Sequence, residues 1–292
     1  MSSSASPVNL KIAIHNINTL PTMPVIAQKI LALDLETNEG ELAMLKLIEK
    51  DPLIATKLIG LANSPFFASN KPVTTLLEAA MLLGTTRVKS VTLGVVFMTS
   101  MAKNPFGKLD FQGLWLHSFC IAIAMRTISR AMLQDSHPYL DEIFFAGLLH
   151  DIGYLVLNHL DQPRSDELQS RFAAGKGRYF YEIEAELLEM NHCELGAELA
   201  KYWNLPESII AVIRYHHDPF NELAAVGQPL VRMLNLAEKI LPAFGIPEYV
   251  PTEISADEWL ALGISPEQAD SLVEQIIQQA EEAKLTAGKL TA

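Results

Sequence analysis

The chain has 292 residues and a net charge of −12, with 49% hydrophobic and 19% charged residues, which suits one large or two ordinary globular domains with a real core. It lacks the long Lys/Arg cluster that neutralises phosphate backbones, which speaks against direct DNA or RNA binding. Its two isolated cysteines, Cys120 and Cys193, are too few for a disulfide framework or a cysteine-rich zinc module.

The opening MSSSASPVNL has no basic segment followed by an apolar one, so no signal peptide is expected, and residues 1–16 read as a disordered or extended tail. LPTMPVIAQKILAL places Met23, Ile26, Ile30 and Leu33 on one helix face. Asp51 and Pro52 then open a helix as N-cap and first residue, with Leu53, Ala55, Leu58, Ile59 and Ala62 as its expected buried face. Thr74 precedes the next helix, Glu78 could complete its cap, and Gly84 ends it before TTRVKSVTLGVVFMTSM. KNPFGKLD, 103–110, reads as a junction. Beyond it come LWLHSFCIAIAMRTIS and DEIFFAGLLHDIGYLVLNH, each read as one helix, and a short helix in the polar segment 161–178. YEIEAELLEMNHCELGAELAKYWN, PESIIAVIRYHH, LVRMLNLAEKIL (packing on Leu230, Leu234, Ala237 and Leu241) and SPEQADSLVEQIIQQAEEAK complete the series.

Strand signals are weak, so the expected fold is all-α. Its parts are an N-terminal helical lobe over 17–108, a second lobe over 109–245 and a C-terminal helical extension over 246–292. Apolar runs such as VTLGVVFM fall far short of the ~20 residues a membrane span requires, which gives a cytoplasmic expectation with no membrane partner. Trp115, Trp203 and Met44, Met81, Met98, Met101 and Met125 read as core.

Histidine placement carries the chemistry. His150 and Asp151 sit side by side mid-helix in FAGLLHDIGYLVLNH, and a buried carboxylate costs several kcal/mol unless something compensates it. Gly147 and Gly153, one turn away, leave room for another backbone, an ion or a ligand. His117 lies in an apolar helix, and His192 begins a helix capped by Asn191, with Glu194 in its first turn. His216 and His217 end a helix, where cations suit the dipole. Any one of these alone more often signals a satisfied core or surface histidine. Together, on four helices, they form a set that would suit Zn, Mn, Fe or Ni, and paired-metal sites hydrolyse phosphate esters. No GxxxxGK[ST] or GxGxxG loop is present, and Ser118 beside His117 is no nucleophile by adjacency alone.

GLLHDIG at 147–153, HCELGAELAKYWNLPESI at 192–209 and the following HH resemble the HDOD family, a bacterial branch of the HD superfamily. So do LPTMPVIAQKIL, IEKDPLIATKLIGLANSPFF and LLEAAMLLGTTRVKSVTL, and the likeness runs over about 17–220. The resemblance implies an HD-like helical bundle with an N-terminal lobe, working in bacterial signalling through protein–protein contact. It places the superfamily's metal ligands at His117, His150, Asp151, His192, His216 and His217, holding one or two divalent transition ions (Fe, Mn, Zn or Ni). The closing aspartate is absent, leaving Glu238 (beside Asn235) as the substitute, and Tyr154 stands where hydrolytic relatives carry a phosphate lysine. HHDPF also lacks the glycine-tyrosine-proline signature of cyclic-di-GMP phosphodiesterases. The leading expectation is therefore an interaction module with a partial metal site, binding a signalling partner and open to homodimer formation. The alternatives are a metal-dependent phosphohydrolase, with His150 and Asp151 in the reaction, and a nucleotide or metal sensor.

Overall fold

The computed structural model describes residues 9–16, 19–63, 71–101, 107–133, 140–175, 178–242, 246 and 251–290, and every regular element among them is helical. The N-terminal part holds α1 (Leu10–Ala13), α2 (Val25–Leu31), α3 (Asn38–Ile48), α4 (Pro52–Ala62), α5 (Leu76–Leu83) and α6 (Thr85–Met101). The middle of the chain forms α7 (Phe111–Ala131), α8 (Leu140–Leu149), α9 (Ile152–Leu160), α10 (Gln162–Ala174), α11 (Phe180–Leu187), α12 (His192–Tyr202), α13 (Glu207–Tyr215) and α14 (Leu230–Ile240). Two further helices follow, α15 (Ala256–Leu260) and α16 (Ala269–Leu290).

Local chemistry sets the ends of the early helices. Asp51 accepts from the backbone N–H groups of Leu53 and Ile54, and Pro52 stands at the first helical position. The face this start turns inward is Ile54, Leu58, Leu61 and Ala62, so Leu53, expected inside, lies half-exposed. Thr75, not Thr74, caps α5: its hydroxyl accepts from Glu78 N, and Glu78 accepts from Thr75 N in return, a reciprocal box that needs this three-residue spacing. Met81 also departs from expectation, since Leu76, Ala79 and Leu83 take the core face and leave it 80% exposed. Gly84, at φ +83°, ends α5 in a conformation open to glycine, and α6 leaves at 115°.

Part of the expected tail is ordered: Asn9 caps α1, and Leu10 and Ile14 are buried, because both find apolar neighbours in the core. Residues 1–8 lie outside the described residues, as do 64–70 and 102–106, which hold the quoted SPFF and half of the expected junction. The segment read as a short helix at 161–178 is instead the thirteen-residue α10, capped by Asp161.

Two features position the site. Helix α6 is buried around nearly its whole girth, packing on α2 and α4 on one side and on α8 and α9 on the other. Phe97 on α6 stacks on Trp203 at 4.5 Å, and the Trp203 indole N–H donates to Pro21 O at 2.9 Å. The second feature is a break. The stretch expected as one helix stops at Leu149 and restarts at Ile152, so His150 and Asp151 sit between helices rather than within one. Glycines set the packing there: a Cβ on Gly147 would stand 2.6 Å from Ala122 Cα on α7, and one on Gly153 only 1.8 Å from His192 O. Backbones, not a ligand, fill the space both glycines leave. Residues 142–160 are long and apolar enough by composition to cross a membrane, contrary to expectation, but most of their side chains are buried against neighbouring helices. Finally, α16 lies on α7 of its own chain through Ile276, Ala280 and Ala283, and the Thr127 hydroxyl donates to Gln279 at 2.6 Å.

Candidate metal centre

Five histidines, Asp151 and Glu238 meet at one point, brought there by α7, the α8–α9 break, the start of α12, the end of α13 and α14. Two groups form around Asp151. On the Oδ2 side, His117 Nε2 and His150 Nε2 stand 3.5 and 3.2 Å from the carboxylate and 3.2 Å from each other. Glu238 Oε1 approaches the same two nitrogens at 3.8 and 3.1 Å. On the Oδ1 side, His192 Nε2 and His216 Nε2 lie 3.5 and 3.6 Å from Asp151 and 3.4 Å apart. His217 stands with His192 and His216, and its Nδ1 lies 3.1 Å from Glu238 Oε2.

These spacings fit a metal. Four nitrogen or oxygen ligands at ~2.1 Å around one ion lie about 3.4 Å apart when tetrahedral. Neither oxygen of Asp151 makes a hydrogen bond, though both are fully buried, so the carboxylate faces two sets of imidazoles with its lone pairs uncommitted. The groups behind the ligands fix which nitrogen points inward. His150 Nδ1–H donates to Gly147 O at 2.9 Å, His192 Nδ1–H to Glu184 Oε1 at 2.9 Å and His216 Nδ1–H to Ile213 O at 2.9 Å. Each of those acceptors lacks a proton of its own, so Nε2 carries the lone pair toward the centre, the arrangement that orients metal-bound histidines. The Asn235 amide holds the chain at His216 through the carbonyl, at 2.8 Å.

Burial disfavours an imidazolium at His150, but Asp151 and Glu238 outweigh it and lift the pKa to about 10. Burial likewise opposes ionised Asp151 and Glu238, yet the surrounding histidines hold both well below the usual carboxylate range.

Every residue expected at the site reaches it. Sequence reading missed two. Cys193 follows His192 on α12, with Sγ at 3.3 Å from His192 Nε2 and 3.8 Å from His216 Nε2. Glu184 shares one stripe of α11 with Phe180 and Ile183, an i, i+3, i+4 pattern that marks an acidic residue on a buried face. Tyr154, in the place of the phosphate lysine, is buried with its ring stacked on His192 at 4.4 Å. A pocket of about 440 Å³ opens beside the centre, lined by Phe180, Tyr181, Cys193, His217, Asn235 and Glu238 among others.

The HDOD domain family model matches residues 20–219. An uncharacterized protein of Treponema pallidum (strain Nichols) is 25% identical over 213 residues, 71% of this chain, and the chain spans only 40% of that relative's length. Among solved structures, an HDOD domain protein of unknown function from Geobacter sulfurreducens superposes with a TM-score of 0.75 at 24% identity, over 97% of this chain and 98% of that one. A Marinobacter aquaeolei VT8 protein named as a candidate for signal transduction gives 0.76 at 21% identity, over 100% of this chain and 63% of its own. A Shewanella amazonensis SB2B protein named as a candidate metal-dependent phosphohydrolase gives 0.62 at 17% identity, over 92% of each chain. At these identities the structural likeness is one of fold.

Proposed function

The chain belongs to the HDOD domain family, and from that footing we propose that it is a regulatory module whose cluster holds two divalent transition ions bridged by Asp151 and whose output is contact with a partner protein. The observation that carries this is the buried Asp151 carboxylate, with one oxygen toward His117 and His150 and the other toward His192 and His216. Paired ions of this kind act as Lewis acids and activate water for attack on phosphate esters. The chain's own residues favour a holding role. His117, His150, Asp151 and Glu238 are all less than 5% exposed and close four protein atoms around one point, as structural rather than reactive sites do. Tyr154 offers an aromatic face to His192 where a lysine would offer charge to a phosphate. The ligands come from α7, the α8–α9 break, α12, α13 and α14, so loading would fix these helices against one another and set the surface a partner meets. The name of the Marinobacter relative points the same way.

A second reading, phosphoester hydrolysis, draws on the pocket that reaches His217 and Glu238 and on the name of the Shewanella relative. One pair of measurements separates the two. The ion-loaded chain is expected to slow amide exchange across the α8–α9 break and the start of α12 relative to the stripped chain, and to leave bis(p-nitrophenyl) phosphate intact. Turnover at ordinary enzyme rates, lost in Asp151→Asn, would replace the regulatory reading with the hydrolytic one.

A further inference from the structure

We propose that Cys193 is a thiolate ligand of the second ion, giving that site two imidazole nitrogens, one carboxylate oxygen and one sulfur. This rests on the reading that the cluster is loaded with metal, and it adds a ligand of a different chemical class from the imidazoles and carboxylates around it. The geometry is that of a tetrahedral mixed site. Ligand lengths of ~2.05 Å for nitrogen and ~2.3 Å for sulfur place two nitrogens about 3.4 Å apart, and a nitrogen and a sulfur about 3.6 Å apart. His192 Nε2 and His216 Nε2 are 3.4 Å apart, and Cys193 Sγ lies 3.3 and 3.8 Å from them. Asp151 Oδ1 stands 3.5 and 3.6 Å from the same nitrogens, and His217 lies within ligand reach of His192, Cys193 and His216.

A plain thiol–imidazole hydrogen bond accounts for less. The Nδ1 atoms of His192 and His216 both face acceptors without protons, Glu184 Oε1 and Ile213 O, so when the cluster holds ions rather than protons both Nε2 atoms turn lone pairs toward the sulfur. A single hydrogen bond at the sulfur engages one of them, and leaves the other imidazole and, beside both nitrogens, a buried Asp151 oxygen. A cation answers all four. Local structure holds the sulfur there. Asn191 accepts from Glu194 N at 2.8 Å while Glu194 accepts from Asn191 N at 3.0 Å, which fixes the first turn of α12 where His192 and Cys193 stand. Cys193 is 4% exposed and lines the pocket, whereas Cys120 lies on α7 against Ala280 O, apart from the cluster.

A sulfur ligand selects the ion. Thiolate suits zinc and other borderline or soft ions and suits magnesium, calcium and manganese poorly, so the second site is expected to retain zinc or cobalt and to reject magnesium. It also fills with protein the position that a reactive site leaves to water or substrate.

The test is cobalt(II) loading of the stripped full-length chain, read by visible d–d bands for uptake and by the near-ultraviolet thiolate-to-cobalt charge-transfer band for sulfur. Two cobalt ions per chain with a charge-transfer band are expected. The band should vanish in Cys193→Ser, with one cobalt still bound, and survive in Cys120→Ser. Should Cys193→Ser misfold, cadmium-113 NMR of the native chain serves instead, where one of the two resonances should show the downfield shift of a single sulfur ligand. Two bound cobalt ions with no charge-transfer band, or a band that survives in Cys193→Ser, would overturn the sulfur assignment and leave the paired site intact. No cobalt uptake at all would overturn both.

Discussion

Asp151 joins two groups of imidazoles through its two oxygens, and Glu184 acts one step behind it by holding the His192 ring. Removing such an orienting carboxylate typically costs 10–100-fold in metal affinity. Glu184→Gln keeps a shape that accepts from Nδ1–H but removes the charge, so a loss near the lower end, about 10-fold, is expected for the second ion by competition with a chelator; unchanged affinity would deny Glu184 this part. Titration gives a further test. The His150 pKa rises from the ordinary 6.5 to about 10 in the folded, metal-free cluster, so the stability it contributes is complete below about pH 6.5 and is lost as pH climbs through 10. Asp151 and Glu238, both depressed, contribute above the ordinary carboxylate range and lose that contribution only at acid pH. The melting temperature of the stripped chain should therefore fall between pH 7 and 10. Ion binding needs deprotonated imidazoles, so the gap between loaded and stripped chains should widen over the same range. A stripped chain whose melting temperature is flat from pH 7 to 10 would contradict the coupling.

At the scale of elements, the break between α8 and α9 and the start of α12 form one unit, locked where Gly153 meets the backbone of His192. A methyl group at Gly153 would strike a carbonyl that cannot rotate away, so Gly153→Ala is expected to destabilise by roughly 3 kcal/mol, the upper end of overpacking costs, with loss of bound metal. Urea denaturation measures it, and a change below 1 kcal/mol would mean the two backbones part easily. Much of this unit was legible in the sequence. Asn191 and Glu194 announce the α12 cap three residues apart, and the family resemblance marks six of the ligand candidates, with Glu238 as the substitute for a missing aspartate. The break was not legible, because FAGLLHDIGYLVLNH is apolar on every side and contains no residue that must stop a helix. What separates α8 from α9 is tertiary, the inward turn of His150 and Asp151. Leu53 and Met81 show the same limit: in short helices that are apolar almost all round, spacing alone does not choose the inner face. Cys193 stayed hidden because an isolated cysteine reads as ordinary until its neighbours in space are known.

In the whole molecule, α6 and the Phe97–Trp203 stack tie the N-terminal helices to the metal-centre helices, and α16 covers α7, which carries His117. A charge placed under α16 should be felt there. Ala280 is 1% exposed, so Ala280→Glu buries an unpaired carboxylate and is expected to cost about 3 kcal/mol or more. Ile277 beside it is 44% exposed, and Ile277→Glu should stay within about 0.5 kcal/mol of the native chain. Equal effects of the two would mean that α16 does not rest on α7 in solution. The most direct measurement is elemental mass spectrometry of freshly purified chain beside Asp151→Asn, with circular dichroism to show that both are folded. Two transition ions per native chain, both lost or weakly held in Asp151→Asn, are expected from a carboxylate shared between two sites. A native chain that stays metal-free after ions are added back, or an Asp151→Asn chain that keeps two, would contradict the bridge.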